Sequence, residues 1–362
     1  MNNIFDPAIW AAVPFHFWSV VFFAFGCLVG SFLNVCIHRL PLEQSVVSPP
    51  SHCPHCKYSI PWYLNVPLIT WLWLRGKCAN CQAPISVRYF IIELLTGLFF
   101  LLAWLRFGEQ SALLALVYCL VLAGFIVGTA TDFEHLIIPD EVTKGGMVAG
   151  VICSFLVPQL HATDSMVEAL TASFLGLAVG GGLLWAILYA GKLAFGRQKI
   201  DIPTGSRIIF GEDGLHLPDR TIPYEDIFYR ESDTIHLHTA RLELPDRCYR
   251  DANIEVSLLR HVLKINDEAL NPEEVPYMAL EADSIDLPRE AMGLGDVKLM
   301  AAIGAFTGWE GVLFTLTLSS MLGAVVGLAL KLQRLAYVPY IAAAATIWIF
   351  FGRDLLHAWL GQ

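Results

Sequence analysis

SALLALVYCLVLAGFIVGTATDFEHLIIPD, residues 111–140, joins about twenty apolar residues to an aspartate and then to a proline-marked turn. A helix rises about 1.5 Å per residue, so a run of about twenty residues crosses about 30 Å of hydrocarbon. Asp132 stands at the edge of that run. A carboxylate there is costly in lipid and points to function, although a helix-terminal Asp lying in the headgroups looks the same in sequence. Pro139 disfavours helix at Ile138, so the chain turns there. We read Asp140 as the cap of the next helix and Glu134 and His135 as residues facing water.

Working outward, further apolar runs occupy 15–37, 89–107, 145–160, 167–195, 311–331 and 335–352. A shorter one follows Asp296 and ends near Gly308. The 362 residues are 56% hydrophobic and 15% charged, where a soluble domain carries about 25% charged residues. This composition excludes a disordered chain, a basic nucleic-acid-binding protein and an ordinary soluble enzyme. It predicts an all-α polytopic membrane protein of about eight transmembrane helices. The first run lacks a basic start and continues into Asn34 and His38-Arg39, so it does not read as a cleavable signal peptide. Gly176, Gly180, Gly181 and Gly182, and Gly323 with Gly327, predict close helix packing in lipid.

Charge is unevenly spread. The net charge is −10, and residues 197–290 hold eleven basic and twenty acidic residues, or −9 of it. That stretch reads as an acidic, β-rich soluble insert, with strands at Arg207–Phe210, Ile227–Tyr229 and Thr234–His238 and a helix near 254–265. It gives no electrostatic reason to bind nucleic acid. The domain plan is therefore a first span (1–38), a tetra-cysteine module (39–88), spans two to five (89–196), the insert (197–290) and the last spans (291–362). Arg39, Lys57, Arg75, Lys77 and Arg88 lie between the first two spans, and Lys144, Lys192, Lys298, Lys331 and Arg334 fall at every second exit thereafter. Only Arg106 and Arg353 lie opposite. The positive-inside rule puts the cysteine module and the insert in the cytoplasm, with both termini outside.

Cys53, Cys56, Cys78 and Cys81 form two C-x-x-C pairs, the spacing of a four-thiolate structural zinc site; redox disulfides or unligated thiols are the alternatives. His52 and His55 read as surface residues, since four thiolates close the shell. Cys27, Cys36, Cys119 and Cys153 read as small core hydrophobes. Glu93 reads as one half of a structural ion pair with Arg88 or Lys298.

The second candidate aspartate, Asp296, ends GLGD (293–296), where two glycines permit irregular backbone just before an apolar segment. Two carboxylates sharing a pocket do not both ionise cheaply. One then takes a proton from water while the other donates to a carbonyl oxygen and a leaving amine. A proton or cation relay in a transporter uses the same pair, and charge placement alone does not separate the two. A non-catalytic membrane assembly scaffold built on the cysteine module and insert is a third class.

Together the motifs resemble the type IV prepilin peptidases, the bifunctional leader peptidase/N-methyltransferases of type IV pilus and type II secretion systems. The residues that carry this are GSFLNVCIHRLP (30–41), CPHC (53–56), IPWYLNVPLITWLWLRGKCANCQAPISVRYFIIE (60–93), TDFEHLIIPD (131–140) and GLGDVKLMAAIGAFTGW (293–309). The resemblance implies a bacterial inner-membrane aspartic endopeptidase with Asp132 and Asp296 as its dyad. It implies prepilin or pseudopilin substrates cut after a Gly on the cytoplasmic side. It also implies methylation of the new amino terminus with S-adenosylmethionine, for which no Gly-rich nucleotide-binding unit is visible. Most family members join the fifth and sixth spans by a short connection. The long acidic insert departs from that pattern, and we expect it to dock or gate substrate.

Overall fold

The structure, a computed structural model, describes residues 13–195, 293–330 and 335–360 and most of 197–288. Lys331 and Arg334, the side chains of Lys192 and Arg353, and Tyr229 lie outside the described residues. The helices are α1 (Phe15–Arg39), a short α2 (Ile69–Trp73), α3 (Val87–Phe107), α4 (Ala112–His135), α5 (Asp140–Leu156), α6 (Met166–Phe195), α7 (Leu294–Leu330) and α8 (Val338–Leu360). Five helices among the described residues are long and apolar enough to cross a membrane, and Val338–Gly352 is a shorter apolar stretch. The chain divides into two compact units, Met1–Leu184 with Leu294–Gln362, and Trp185–Gly293.

In the helical unit α4 is the most buried of the five spans, which makes it the centre of the bundle. Helix α3 runs antiparallel to α1. The Trp104 indole donates to the Phe15 carbonyl at one end, and the Asn34 amide donates to the Tyr89 carbonyl at the other. Arg106 and Asp354 pair at the first of these ends.

Helix α7 is not one rod. Its 37 residues would extend about 55 Å if straight, well beyond a bilayer's apolar core of about 30 Å. Gly308, at φ 73° and ψ −178°, breaks it with a backbone conformation open to glycine. The chain then doubles back: Val312 lies within van der Waals overlap of any Cβ built on Gly304, although a straight helix would separate the two by about 12 Å. Just before the break the Ala305 carbonyl accepts from the hydroxyls of Ser154 and Ser173. A buried carbonyl near a helix break is thereby satisfied by side chains.

The expected small-residue packing holds at two of the α6 glycines. A Cβ on Gly176 would overlap the carbonyl oxygen of Gly304, and one on Gly180 would overlap that of Met300. Among the described residues, a Cβ on Gly182 or Gly327 would meet nothing within 4 Å, so no close packing is seen at those two.

The second unit is an antiparallel sheet. Its strands are β1 (Arg197–Asp201), β2 (Arg207–Phe210), β3 (Leu215–His216), β4 (Thr221–Ile222), β5 (Thr234–Glu243), β6 (Cys248–Leu259), β7 (Leu263–Ile265), β8 (Glu268–Leu270), β9 (Met278–Glu281) and β10 (Ser284–Pro288). They run in the order β4-β3-β2-β9-β5-β6-β7-β8, with β10 pairing β5 and β1. Strand β5 changes neighbours along its length. Its first half pairs β10 and its second half β9, about an irregularity between Thr239 and Arg241. The Thr239 hydroxyl donates to the carbonyls of Arg241 and Glu281 there.

Two expectations fail in this unit. The helix expected near 254–265 is the β6–β7 hairpin, because Ile254, Val256 and Leu258 alternate inward with period two rather than forming a helical stripe. Ile227 and Phe228 are buried in a turn rather than a strand.

Candidate functional site

Asp132 occupies the last turn of α4 and is buried. Its Oδ2 accepts from the Val338 backbone N–H at 2.9 Å, so the carboxylate caps the first turn of α8. The preceding Thr131 turns its hydroxyl back onto the Val127 and Gly128 carbonyls. Asp296 lies in the first turn of α7 and is half-buried.

The two motif segments meet. A Cβ on Gly295 would fall 3.2 Å from Ile138 Cδ1, which sits in the turn after Asp132. From the fifth residue of α7, the Lys298 ammonium reaches Asp140 Oδ1 at 2.7 Å. Asp140 also pairs with Lys144 at 2.7 Å. Hydrogen bonds from Lys144 and then Lys298 hold its carboxyl down at about 2. These contacts correct the expected capping role: Pro139 is the cap position and Asp140 the first helical residue, tied by ion pairs.

Two neighbours also differ from the sequence reading. Glu134 does not simply face water, since it pairs with Arg88. With Arg88 and Lys298 both taken, Glu93 has no ion-pair partner of the expected kind. Its Oε2 instead accepts from the Leu68 backbone N–H at 2.8 Å, and the carboxylate is buried. Leu68 has φ 59° and ψ −53° at the start of α2, so Glu93 pins an unusual turn of the cysteine module to α3. Nothing in the periodicity of either segment announced this contact. Arg39 is likewise used structurally, donating to the carbonyls of Ser45 and Pro49.

The four cysteines come together as the spacing predicts. Their sulfurs all lie within 4.8 Å of one another, with Cys53–Cys81 at 3.8 Å and Cys56–Cys78 at 4.0 Å. Four sulfurs at about 2.3 Å from a tetrahedral ion stand about 3.8 Å apart, so the cluster can hold a metal ion. Each pair forms the same turn. The N–H of Lys57 donates to the Cys53 carbonyl and that of Gln82 to the Cys78 carbonyl, and both residues have positive φ. The Tyr58 N–H and the Asn80 amide hold the Cys56 thiol down at about 6, and the N–H groups of Cys81 and Asn80 lower Cys78. The Ala83 N–H also lowers Cys81, but lost hydration and the neighbouring sulfurs outweigh it and raise that thiol to about 11. His52 is outside the cluster, with Nδ1 at 3.0 Å from the Pro50 carbonyl.

Residues 24–107 match the family model described as the bacterial peptidase A24 N-terminal domain, and residues 284–328 match that of the type IV leader peptidase family. A prepilin leader peptidase/N-methyltransferase of Pectobacterium carotovorum subsp. carotovorum is 35% identical over 49% of this chain and 70% of its own length. The chain belongs to the prepilin leader peptidase/N-methyltransferase family. The namesake enzyme of Myxococcus xanthus is 41% identical, over 52% of this chain, and the match spans just over half (55%) of that relative's length. The one of Aeromonas hydrophila is 27% identical over 96% of this chain and 94% of its own. No solved structure matches the chain. Both of the family's matched regions bear on the site: the first holds the cysteine cluster and Glu93, and the second holds Asp296.

Proposed function

We propose that this chain is an aspartic endopeptidase that removes the leader of a prepilin or pseudopilin, cutting after a Gly, with Asp132 and Asp296 as its catalytic pair. The observation that carries the assignment of residues is the meeting of the two motif segments, through Ile138 with Gly295 and Asp140 with Lys298. One carboxylate accepts a proton from water as its oxygen adds to the Gly carbonyl carbon. The other donates its proton to the carbonyl oxygen, and the departing amine takes a proton as the C–N bond breaks. Lys298 and Lys144 hold Asp140 ionised and out of this exchange.

The freed amine then accepts a methyl group from S-adenosylmethionine. This step rests on the family alone, and we assign no residue to it. We further propose that zinc holds Cys53, Cys56, Cys78 and Cys81, where it would fix the module between α1 and α3. The reversal at Gly308 supports counting α7 as two crossings, and so a span number of about eight. The chain would reside in a bacterial inner membrane with the aspartates at its cytoplasmic face. A transporter relay is the alternative reading, and cleavage with no ion gradient would exclude it.

The deciding experiment is mass spectrometry of a prepilin substrate in detergent, with no ion gradient, with and without S-adenosylmethionine. Wild type should release the leader and, with the donor, add one methyl group. Asp132→Asn and Asp296→Asn should release nothing; cleavage by either variant overturns the dyad.

A further inference from the structure

Helices α1, α4, α5 and α7 enclose a cavity of about 440 Å³ whose lining is almost wholly apolar. Its walls are stripes that lead to the candidate site. Val121 and Phe125 precede Asp132 by three and two helical turns, and so share its face of α4. Leu299, Ile303 and Phe306 follow Asp296 at helical spacing on one face of α7. The α5 wall is Glu141, Val142, Gly145, Gly146 and Ala149, and Glu141, in the first turn of α5, puts the lining's one carboxylate at the same end as the aspartates. Phe32 and Leu120 border the cavity and are about half exposed, so it opens sideways along the bundle's apolar surface.

We propose that this groove holds an apolar segment of the substrate peptide adjoining the bond that is cut. The proposal rests on the peptidase reading above. A lipid chain would need only a greasy slot. Here both aspartate-bearing stripes converge on one end, which is what a chain cut at that end requires. The α5 wall is also bare backbone at its middle: a Cβ on Gly145 would meet nothing within 4 Å. That leaves room for bulky side chains of an entering helix. Glu141 adds a negative charge where such a chain leaves the groove, complementing a cationic group on the peptide.

The test compares two substrates on the full-length enzyme in nanodiscs. One is a complete prepilin, and the other a short peptide with the same cleavage site and no apolar segment. The readout is the ratio of their kcat/KM values for wild type, Gly145→Leu and the control Gly327→Leu, whose site is also open but lies elsewhere on α7. Filling an apolar pocket by a side chain is expected to lower the ratio about tenfold or more in Gly145→Leu, chiefly through KM of the prepilin, and to leave it unmoved in Gly327→Leu. An unmoved ratio in Gly145→Leu, or an equal loss on both substrates, overturns the proposal. Wild type that cuts neither substrate overturns the peptidase reading instead. A benzophenone crosslinker at Leu120 gives a second readout: it should capture the prepilin's apolar segment, and capture of lipid alone refutes the assignment.

Discussion

Asp132 has one observed contact and one proposed role, and its chemistry separates them. As an acceptor it satisfies the Val338 N–H; in the proposed dyad it would also exchange a proton as an acid or base. Asn keeps the acceptor oxygen and loses the titration. Asp132→Asn should therefore abolish cleavage while shifting unfolding by less than about 0.5 kcal/mol, whereas Asp132→Ala should also lose about 1 kcal/mol, the usual cost of an emptied cap. Denaturant unfolding beside the cleavage assay checks both. Asp140 makes a different prediction. Its folded value, about 2, lies below the ordinary 3.8, so its ion pairs stabilise fully above pH 3.8 and lose that contribution as the pH falls through about 2. Lys298→Met should raise the Asp140 titration midpoint, read by carboxyl NMR. A midpoint unchanged at about 2 would mean that Lys144 alone sets it.

At the scale of elements, backbone approach decides what the bundle tolerates. Gly176 meets the Gly304 backbone so closely that Gly176→Ala must push α6 off α7, whereas Gly182→Ala has open space. We expect the first to lose at least about 2 kcal/mol, in the range of overpacking, and the second less than about 0.5 kcal/mol, measured by thermal unfolding in nanodiscs. Glu93 offers a parallel case between a helix and a loop. Glu93→Gln retains an acceptor for the Leu68 N–H, but Glu93→Ala leaves it unpaired. Amide exchange at Leu68 should accelerate in Glu93→Ala by about tenfold or more, the equivalent of one lost hydrogen bond of about 1.4 kcal/mol, and little in Glu93→Gln. The glycines and Glu93 were visible as residues in the sequence. Which glycine meets which backbone was not, because crossing points depend on helix packing rather than on spacing along one helix.

For the whole molecule, the cysteine cluster brings together chain 28 residues apart, from Cys53 to Cys81, in a module with few long elements, where the proposed zinc would act as a staple. Elemental analysis should find one zinc per chain, lost in Cys78→Ser. Chelation should loosen the 39–88 segment to protease while leaving α4 and α5 protected, and a metal-free wild type of unchanged protease resistance would contradict the zinc assignment. The sequence by itself marked most of the segments that are long and apolar enough to cross a membrane, because run length against bilayer thickness is a local property. It also picked out, by residue type and spacing, the four cysteines that come together and the two aspartates we propose as the catalytic pair. It misread the 254–265 segment, where period-two burial competes with a short apolar run of either kind. Only the tertiary structure decided that Asp132 meets an N–H 206 positions away, that Glu93 holds Leu68, and that α7 folds back at Gly308 with two serines on the Ala305 carbonyl. The reason is physical: each of these partners is a backbone group, present at almost every residue, so that sequence marks the side chain and packing alone selects which N–H or C=O it meets.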